Sequence, residues 1–328
     1  MKKLINLSTD KWDLEKFAGD YRNIENFLIR NNIDGLEIIQ SIERWNPEKI
    51  PKKFIKGQHM TFWPIWLDFW KEKNTELIRQ FGNKESYEAY YGGENKEILI
   101  ERYREELLSA KAMEAEYVVF HVSHVQLEHS YTWDFSYSDL EVIEAFIDLL
   151  NKALEGLDID FDILLENLWW PGFNMLNQDL AYKLIKEINY DKVGFVLDIG
   201  HMMITNPNLI SEKESVRYLL EKVKNLGSLK SFIKTVHLNS SLTGDYIKKI
   251  KKGLVPFNKE ASFNDKFFNS FKHISNIDKH EPFKDSDINK VIQIINPDFL
   301  VFELMSDTLE ELEEKVKIQN KTLKIDLH

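Results

Sequence analysis

Apolar positions along this chain follow two rhythms. Short, nearly uninterrupted apolar runs alternate with longer stretches in which apolar residues recur every three or four positions. The first rhythm marks strands buried on both faces, and the second marks helices with one buried stripe. The clearest run is Val193 to Leu197, apolar apart from Gly194, which stops on Asp198. Further strands are predicted at Lys3 to Leu7, Gly35 to Ile39, Ile55 to Met60, Tyr117 to Val122, Asp162 to Leu168, Ile233 to Leu238 and Phe299 to Leu304. Helices are predicted over Ile24 to Ile29, Asn95 to Glu114, Ser138 to Leu154, Leu180 to Ile188, Glu212 to Lys224 and Asp287 to Ile295. Asn31-Asn32 is the stop of the first, and Ser138 with Glu141 forms a capping-box pattern. A final helix is expected behind a cap of Asp307 with Glu310, and Tyr87 to Gly93 reads as a loop.

Eight strands alternating with helical segments imply right-handed βαβ units and a parallel sheet. With 328 residues, the pattern points to α/β architecture: a closed (β/α)8 TIM barrel, one domain over residues 1–328, with insertions in the βα loops around Phe62–Gly93 and Gly244–Asp285. An open doubly wound sheet is the rival, but it would call for a Gly-rich phosphate loop after the first strand. Ser8-Thr9-Asp10 stands there. The apolar fraction of 43% supplies a large core. The absence of Cys excludes disulfides and thiolate metal sites, so any metal must be held by His, Asp and Glu. A net charge of −11 argues against a broad nucleic-acid face. No apolar stretch has the length of a membrane span, and MKKLINLSTD lacks the pattern of a signal peptide, so the expectation is a soluble cytoplasmic protein.

Candidate chemistry gathers at the strand ends. Asp198 and His201 leave the Val193 strand together. They read equally as a helix cap with a surface imidazole or as two ligands of Zn, Mn or Fe. His59, His121, Glu166, Asp198, His237 and Glu303 each stand at or near the C-terminal end of a different strand, and in a barrel those ends ring one pocket. A single polar interruption of a buried strand can be a satisfied core group. Six on one rim call for cations, because three carboxylates repel one another in a pocket without one.

The stretches LLENL at Glu166, LDIGH at Asp198 and His201, VHLN at His237 and VFEL at Glu303 resemble the xylose isomerase-like barrel superfamily. That superfamily includes endonuclease IV-type apurinic endonucleases and many sugar isomerases and epimerases. The resemblance covers nearly the whole chain. It implies a metal held by Glu166, Asp198, His237 and Glu303. Endonuclease IV-like members hold three zinc ions, and their additional ligands would fall on His59, His121, His201, Asp278 and His280. The Asp278-Lys279-His280 turn lies far beyond the His237 strand, and a solvated loop is its alternative.

The resemblance leaves three functions open. The first is hydrolysis of a phosphate ester or phosphodiester in a multinuclear site of up to three ions, Zn above others, with Glu166 bridging two of them. The second is a sugar or sugar-phosphate isomerase or epimerase, with one Mn or Mg and with Glu166 and Glu303 as the proton-transfer pair. The third is a metal-filled barrel that binds a ligand without turnover. Hydrolysis of a small-molecule phosphodiester leads, since an isomerase has no use for the extra His and Asp residues. Bulk nucleic acid is disfavoured as a partner, as is a membrane. Trp63, Trp169 and Trp170 are candidates for stacking on substrate, with core packing as the alternative. Lys248, in the basic cluster with Lys249, Lys251 and Lys252, is a candidate for a substrate phosphate, with a solvated helix face as the alternative. Glu37 is expected to pair locally. His124, His129, His273 and His328 read as surface residues.

Overall fold

In the computed structural model, which describes residues 1–40 and 43–324, eight parallel strands close into a barrel in sequence order, with β1 paired to both β2 and β8. The strands are β1 (Lys2–Ser8), β2 (Gly35–Ile39), β3 (Ile55–His59), β4 (Tyr117–His121), β5 (Asp162–Glu166), β6 (Val193–Asp198), β7 (Ile233–Leu238) and β8 (Phe299–Phe302). All eight fall on the predicted runs. The helices are α1 (Lys11–Leu14), α2 (Tyr21–Arg30), α3 (Leu67–Trp70), α4 (Asn74–Phe81), α5 (Lys84–Tyr91), α6 (Glu97–Met113), α7 (Leu127–Thr132), α8 (Asp139–Leu154), α9 (Gln178–Glu187), α10 (Ile199–Ile204), α11 (Glu212–Asn225), α12 (Gly244–Lys251), α13 (Phe263–Ile274), α14 (Ile288–Ile295) and α15 (Leu309–Thr322). Between β2 and β3 the described residues carry a short 3-10 turn, Lys52–Phe54, in place of a helix.

The strands are buried on both faces because one face meets the helices and the other fills the barrel. Leu4, Tyr117, Val119, Leu164, Val196, Phe299 and Val301 form a separate buried cluster of strand residues. Gly57 makes room for Tyr117: a Cβ at position 57 would lie 2.3 Å from the tyrosine ring. No helix among the described residues is long and apolar enough to cross a membrane.

The caps explain where helices start. Ser138 and Glu141 form the reciprocal capping box that starts α8. The last helix starts one residue later than predicted. Thr308, not Asp307, accepts from the Glu311 amide, while the Glu311 side chain accepts from the Asp307 amide. Tyr87 to Gly93 is mostly helix α5 and not a loop. Asn83 caps it, Gly92 ends it in the left-handed region, and Tyr87 and Tyr91 are its buried face.

Two insertions on the C-terminal face shape what lies above the barrel. The segment after β3 holds α3, α4 and α5. The segment after β7 holds α12 and α13 and docks on the β3 and β4 side. Phe263 stacks on Phe81 with ring centres 4.1 Å apart. His273 stacks on Tyr131 at 3.7 Å, and its Nε2–H donates to the Ser130 carbonyl while Nδ1 accepts from the Tyr246 hydroxyl. His273 is therefore buried, not at the surface, and burial lowers its pKa. His124 is likewise buried, and His129 is half-buried. His328 lies outside the described residues.

Candidate metal centre

Strand register brings the polar residues together. His121 pairs with Glu166 across β4 and β5, and Asp198 pairs with His237 across β6 and β7. His59 closes β3, and Glu303 directly follows β8. His201 lies on α10, and Asp278 and His280 follow α13. These nine residues fall into three groups whose ligand atoms lie within 4.8 Å of one another: His59, His121 and Glu166; His201, Asp278 and His280; and Glu166, Asp198, His237 and Glu303. Glu166 belongs to two of the groups.

Its two oxygens face different neighbours. Oε2 lies 3.0 Å from both His59 Nε2 and His121 Nε2, while Oε1 lies 3.2 Å from His201 Nδ1 and 3.4 Å from His237 Nδ1. Asp278 Oδ2 lies 3.1 Å from His201 Nε2 and 2.7 Å from His280 Nε2. His237 Nδ1 also lies 3.4 Å from Glu303 Oε2. Of the two readings of the LDIGH motif, the helix cap by Asp198 is present, but His201 is buried and not a surface imidazole. Asp198 Oδ1 caps α10 through the His201 amide at 2.6 Å, while Oδ2 faces the Glu303 side.

A supporting layer fixes these orientations, as outer partners do in metal sites. Glu37 is fully buried and does not pair locally. It accepts the Tyr117 hydroxyl at 2.6 Å and holds His237 Nε2 at 3.1 Å, which turns Nδ1 inward. Met60 O takes His59 Nδ1 at 3.0 Å, leaving Nε2 for the cluster. Asn239 donates to Asp198 Oδ2 and Glu303 Oε2, and the Ser241 hydroxyl donates to Asp278 Oδ1. Asn167 pairs with both main-chain groups of Asp198. Gly200 permits this approach, since a Cβ there would lie 1.8 Å from Asn239 Oδ1. Sequence reasoning missed Tyr117, Asn167, Asn239 and Ser241. The Asn residues of LLENL and VHLN each stand in a strand-end motif, which was the available signal.

Without an ion the carboxylates and imidazoles must share protons. Burial alone would lower the pKa of His201 and His237, but the surrounding carboxylates push both well above the ordinary imidazole value. His280 is raised to about 10 against burial by Asp278 and Glu303. Burial disfavours charge on Glu166, Asp278 and Glu303, yet neighbouring imidazoles hold all three below the usual carboxylate range. Asp198 goes the other way: burial and the charges of Glu303, Glu166 and Asp278 outweigh His201 and drive it toward the neutral acid. His121 is lowered by burial despite Glu166. Glu166 Oε1 and His237 Nδ1, which face each other at 3.4 Å, are buried without hydrogen-bond partners. Buried unpaired ligand atoms ringed by oxygens and nitrogens are a donor set that fits divalent cations, and a cation would replace the shared protons.

The aromatic candidates divide. Trp169 sits edge-on to His201 at 5.0 Å, and Trp170 stacks on Phe62, which touches His121 at 4.6 Å. With Ile204, Ile247, Ile250 and Ile277 they form an apolar roof against the cluster. Trp63 instead packs on Tyr90 and Tyr91 within the β3 insertion, under the Arg102 guanidinium. Lys248 is partly exposed on α12, with Asp245 at 4.0 Å.

A family model described as xylose isomerase-like TIM barrel matches residues 66–315. Endonuclease IV from Thermus thermophilus is similar in structure, with a TM-score of 0.52 at 14% identity over 99% of each chain. A D-tagatose 3-epimerase-like protein gives 0.49 at 17% identity, covering 98% of this chain and 100% of its own. A 3-keto-D-glucoside 4-epimerase from E. coli gives 0.49 at 13% identity over 98% and 99%. A search of curated protein sequences returned no match.

Proposed function

Since the chain belongs to the xylose isomerase-like TIM barrel family, we propose that it is a divalent-metal-dependent hydrolase of a phosphate ester or a small phosphodiester. One observation supports this reading: nine side chains able to hold metal divide into three groups, two of which share Glu166. A single-ion isomerase needs one group. When bound, divalent ions such as Zn lower the pKa of water toward neutrality and offset charge on phosphate oxygens.

The protein's own residues do the rest. Glu166 reaches two groups through its separate oxygens, so it would be the residue shared between two ions if both were held. Glu37 keeps His237 turned inward, and Asn239 holds Asp198 and Glu303 in register. Glu303, held ionised against burial by His237 and His280, would serve this reading as an anionic ligand. Trp169 and Trp170 supply an apolar wall for the part of the substrate beyond the phosphate, and Lys248 on α12 is a candidate for a distal phosphate.

A second reading rests on the group Glu166, Asp198, His237 and Glu303, which offers four ligand atoms to one Mn or Mg. There Glu166 and Glu303 would exchange the proton beside a sugar carbonyl. The double variant His59→Ala, His121→Ala separates the two. The hydrolase reading expects three ions per chain in the parent, at least one lost in the variant, and hydrolysis of bis(4-nitrophenyl) phosphate lower by at least about 10³-fold. A folded variant with its full metal content, measured by elemental analysis, overturns the hydrolase reading in favour of the isomerase.

A further inference from the structure

The insertions on the C-terminal face and the start of α7 border a hollow that none of the nine metal-site residues lines. Its volume is about 340 Å³, within the range of small-molecule sites. It lies where α4, the start of α7 and the chain from 257 to 266 converge. Two of its walls are aromatic, Phe257 and Phe263, and both are held from behind. Phe257 packs on Tyr131 at 5.1 Å, and Phe263 stacks on Phe81.

Its charge is unbalanced. Arg79, Lys259 and Lys266 line it against one carboxylate, Glu128, in a chain whose net charge is −11. Glu128 already takes Arg79 at 3.2 Å and Lys259 at 2.6 Å. Arg79 is fixed further by Gln126 Oε1 at 2.6 Å and Glu76 at 2.9 Å. Among the described residues Lys266 has no carboxylate within ion-pair distance, and its ammonium lies 5.8 Å over the Phe257 ring. A cavity with fixed aromatic walls and a surplus of cations fits a flat body ending in an anion.

We infer that this hollow is a binding site, separate from the metal centre, for a small organic anion: a flat apolar body between Phe257 and Phe263 with its carboxylate or phosphate toward Lys266 and Lys259. The inference does not depend on which reaction the metal centre performs.

Three probes test it by titration calorimetry on the full chain: 1-naphthoate, 1-naphthylmethylphosphonate and the neutral 1-naphthalenemethanol. Each anion is expected to bind once per chain and at least about tenfold more tightly than the alcohol. Lys266→Glu should weaken the anions at least about tenfold and leave the alcohol unchanged, with Lys266→Gln intermediate. Phe257→Ala should weaken all three. The tighter of the two anions identifies carboxylate or phosphate as the natural head group. Chelating the metal should change none of these affinities. Anions and alcohol binding alike, anion binding indifferent to Lys266, or binding lost on chelation would each overturn the site. Circular dichroism of each variant confirms its fold.

Discussion

Asp198 caps a helix with one oxygen and turns the other toward Asn239 in the candidate metal centre, so a local reading that treats cap and ligand as rivals divides one residue in two. The arrangement depends on the close approach of Asn239 to Gly200. Gly200→Ala would force Asn239 away from Asp198 and Glu303 while leaving the barrel folded. Metal affinity should fall by about 10- to 100-fold, as for other losses of outer partners, and chelator competition would measure it. An unchanged affinity would show that Asn239 is dispensable. His124 makes a second case. Its Nδ1 accepts the Leu67 amide at 3.3 Å, so a proton there would face another donor. Burial, against the charge of Asp68, holds its pKa down to about 3. The unfolded chain titrates near 6.5, so the stabilisation is complete above that pH and is lost as pH falls from there toward about 3. The slope is about 1.4 kcal/mol per pH unit. His124→Asn keeps an acceptor for Leu67 and should remove one proton from the slope between about pH 6 and about pH 4 in urea titrations. An identical slope in the variant would place the proton uptake elsewhere.

Strands were legible because both of their faces are buried, which makes each an apolar run whatever its neighbours. The metal-site candidates were legible for the same reason, since polar residues at the ends of such runs stand out. What stayed hidden depends on contacts between distant insertions. His273 looks like any polar helix residue until Tyr131, more than a hundred positions earlier, stacks on it. Glu37 reads as a locally paired carboxylate because its partners, Tyr117 and His237, meet it only when the barrel closes. Helix α5 stays hidden because its tyrosines and Gly92-Gly93 resemble a loop until the Tyr91 side packs on Phe69. The same logic predicts which element of the β7 insertion holds it down. Phe263 is half-buried and bridges α13 to α4 and α5 through Phe81 and Tyr90. Phe263→Ala should cost about 2 kcal/mol, less than a fully buried phenylalanine. It should speed hydrogen exchange in α13 well before the barrel strands. Equal protection in both proteins would mean that the other contacts of α13, Phe267 on Tyr90 and His273 on Tyr131, carry the docking.

Across the molecule, a closed barrel supplies a rigid ring of strand ends, and the two insertions meet above it. The ring positions candidate ligands drawn from six strands, and Trp169 and Trp170 of the loop after β5, Ile204 of α10 and the isoleucines of the β7 insertion cover them. Glu166, Asp198 and His237 are wholly shielded from solvent. An ion held beside His121 or His280, whose side chains keep some exposure, would be within a chelator's reach, whereas one held by Glu166, Asp198 and His237 is expected to wait until that cover lifts. For that buried ion, release is expected to be a two-step clock: the cover lifts at its own frequency, and capture follows. The rate of stripping, followed with a colorimetric chelator, should rise with chelator concentration and then level off at the opening frequency. In Phe263→Ala the plateau should stand higher. A rate that climbs in proportion to chelator without limit would show the ions open to solvent throughout. With a plateau, how long the protein keeps its metal in a scavenging environment is governed by aromatic contacts on α13, remote in sequence from nearly every ligand.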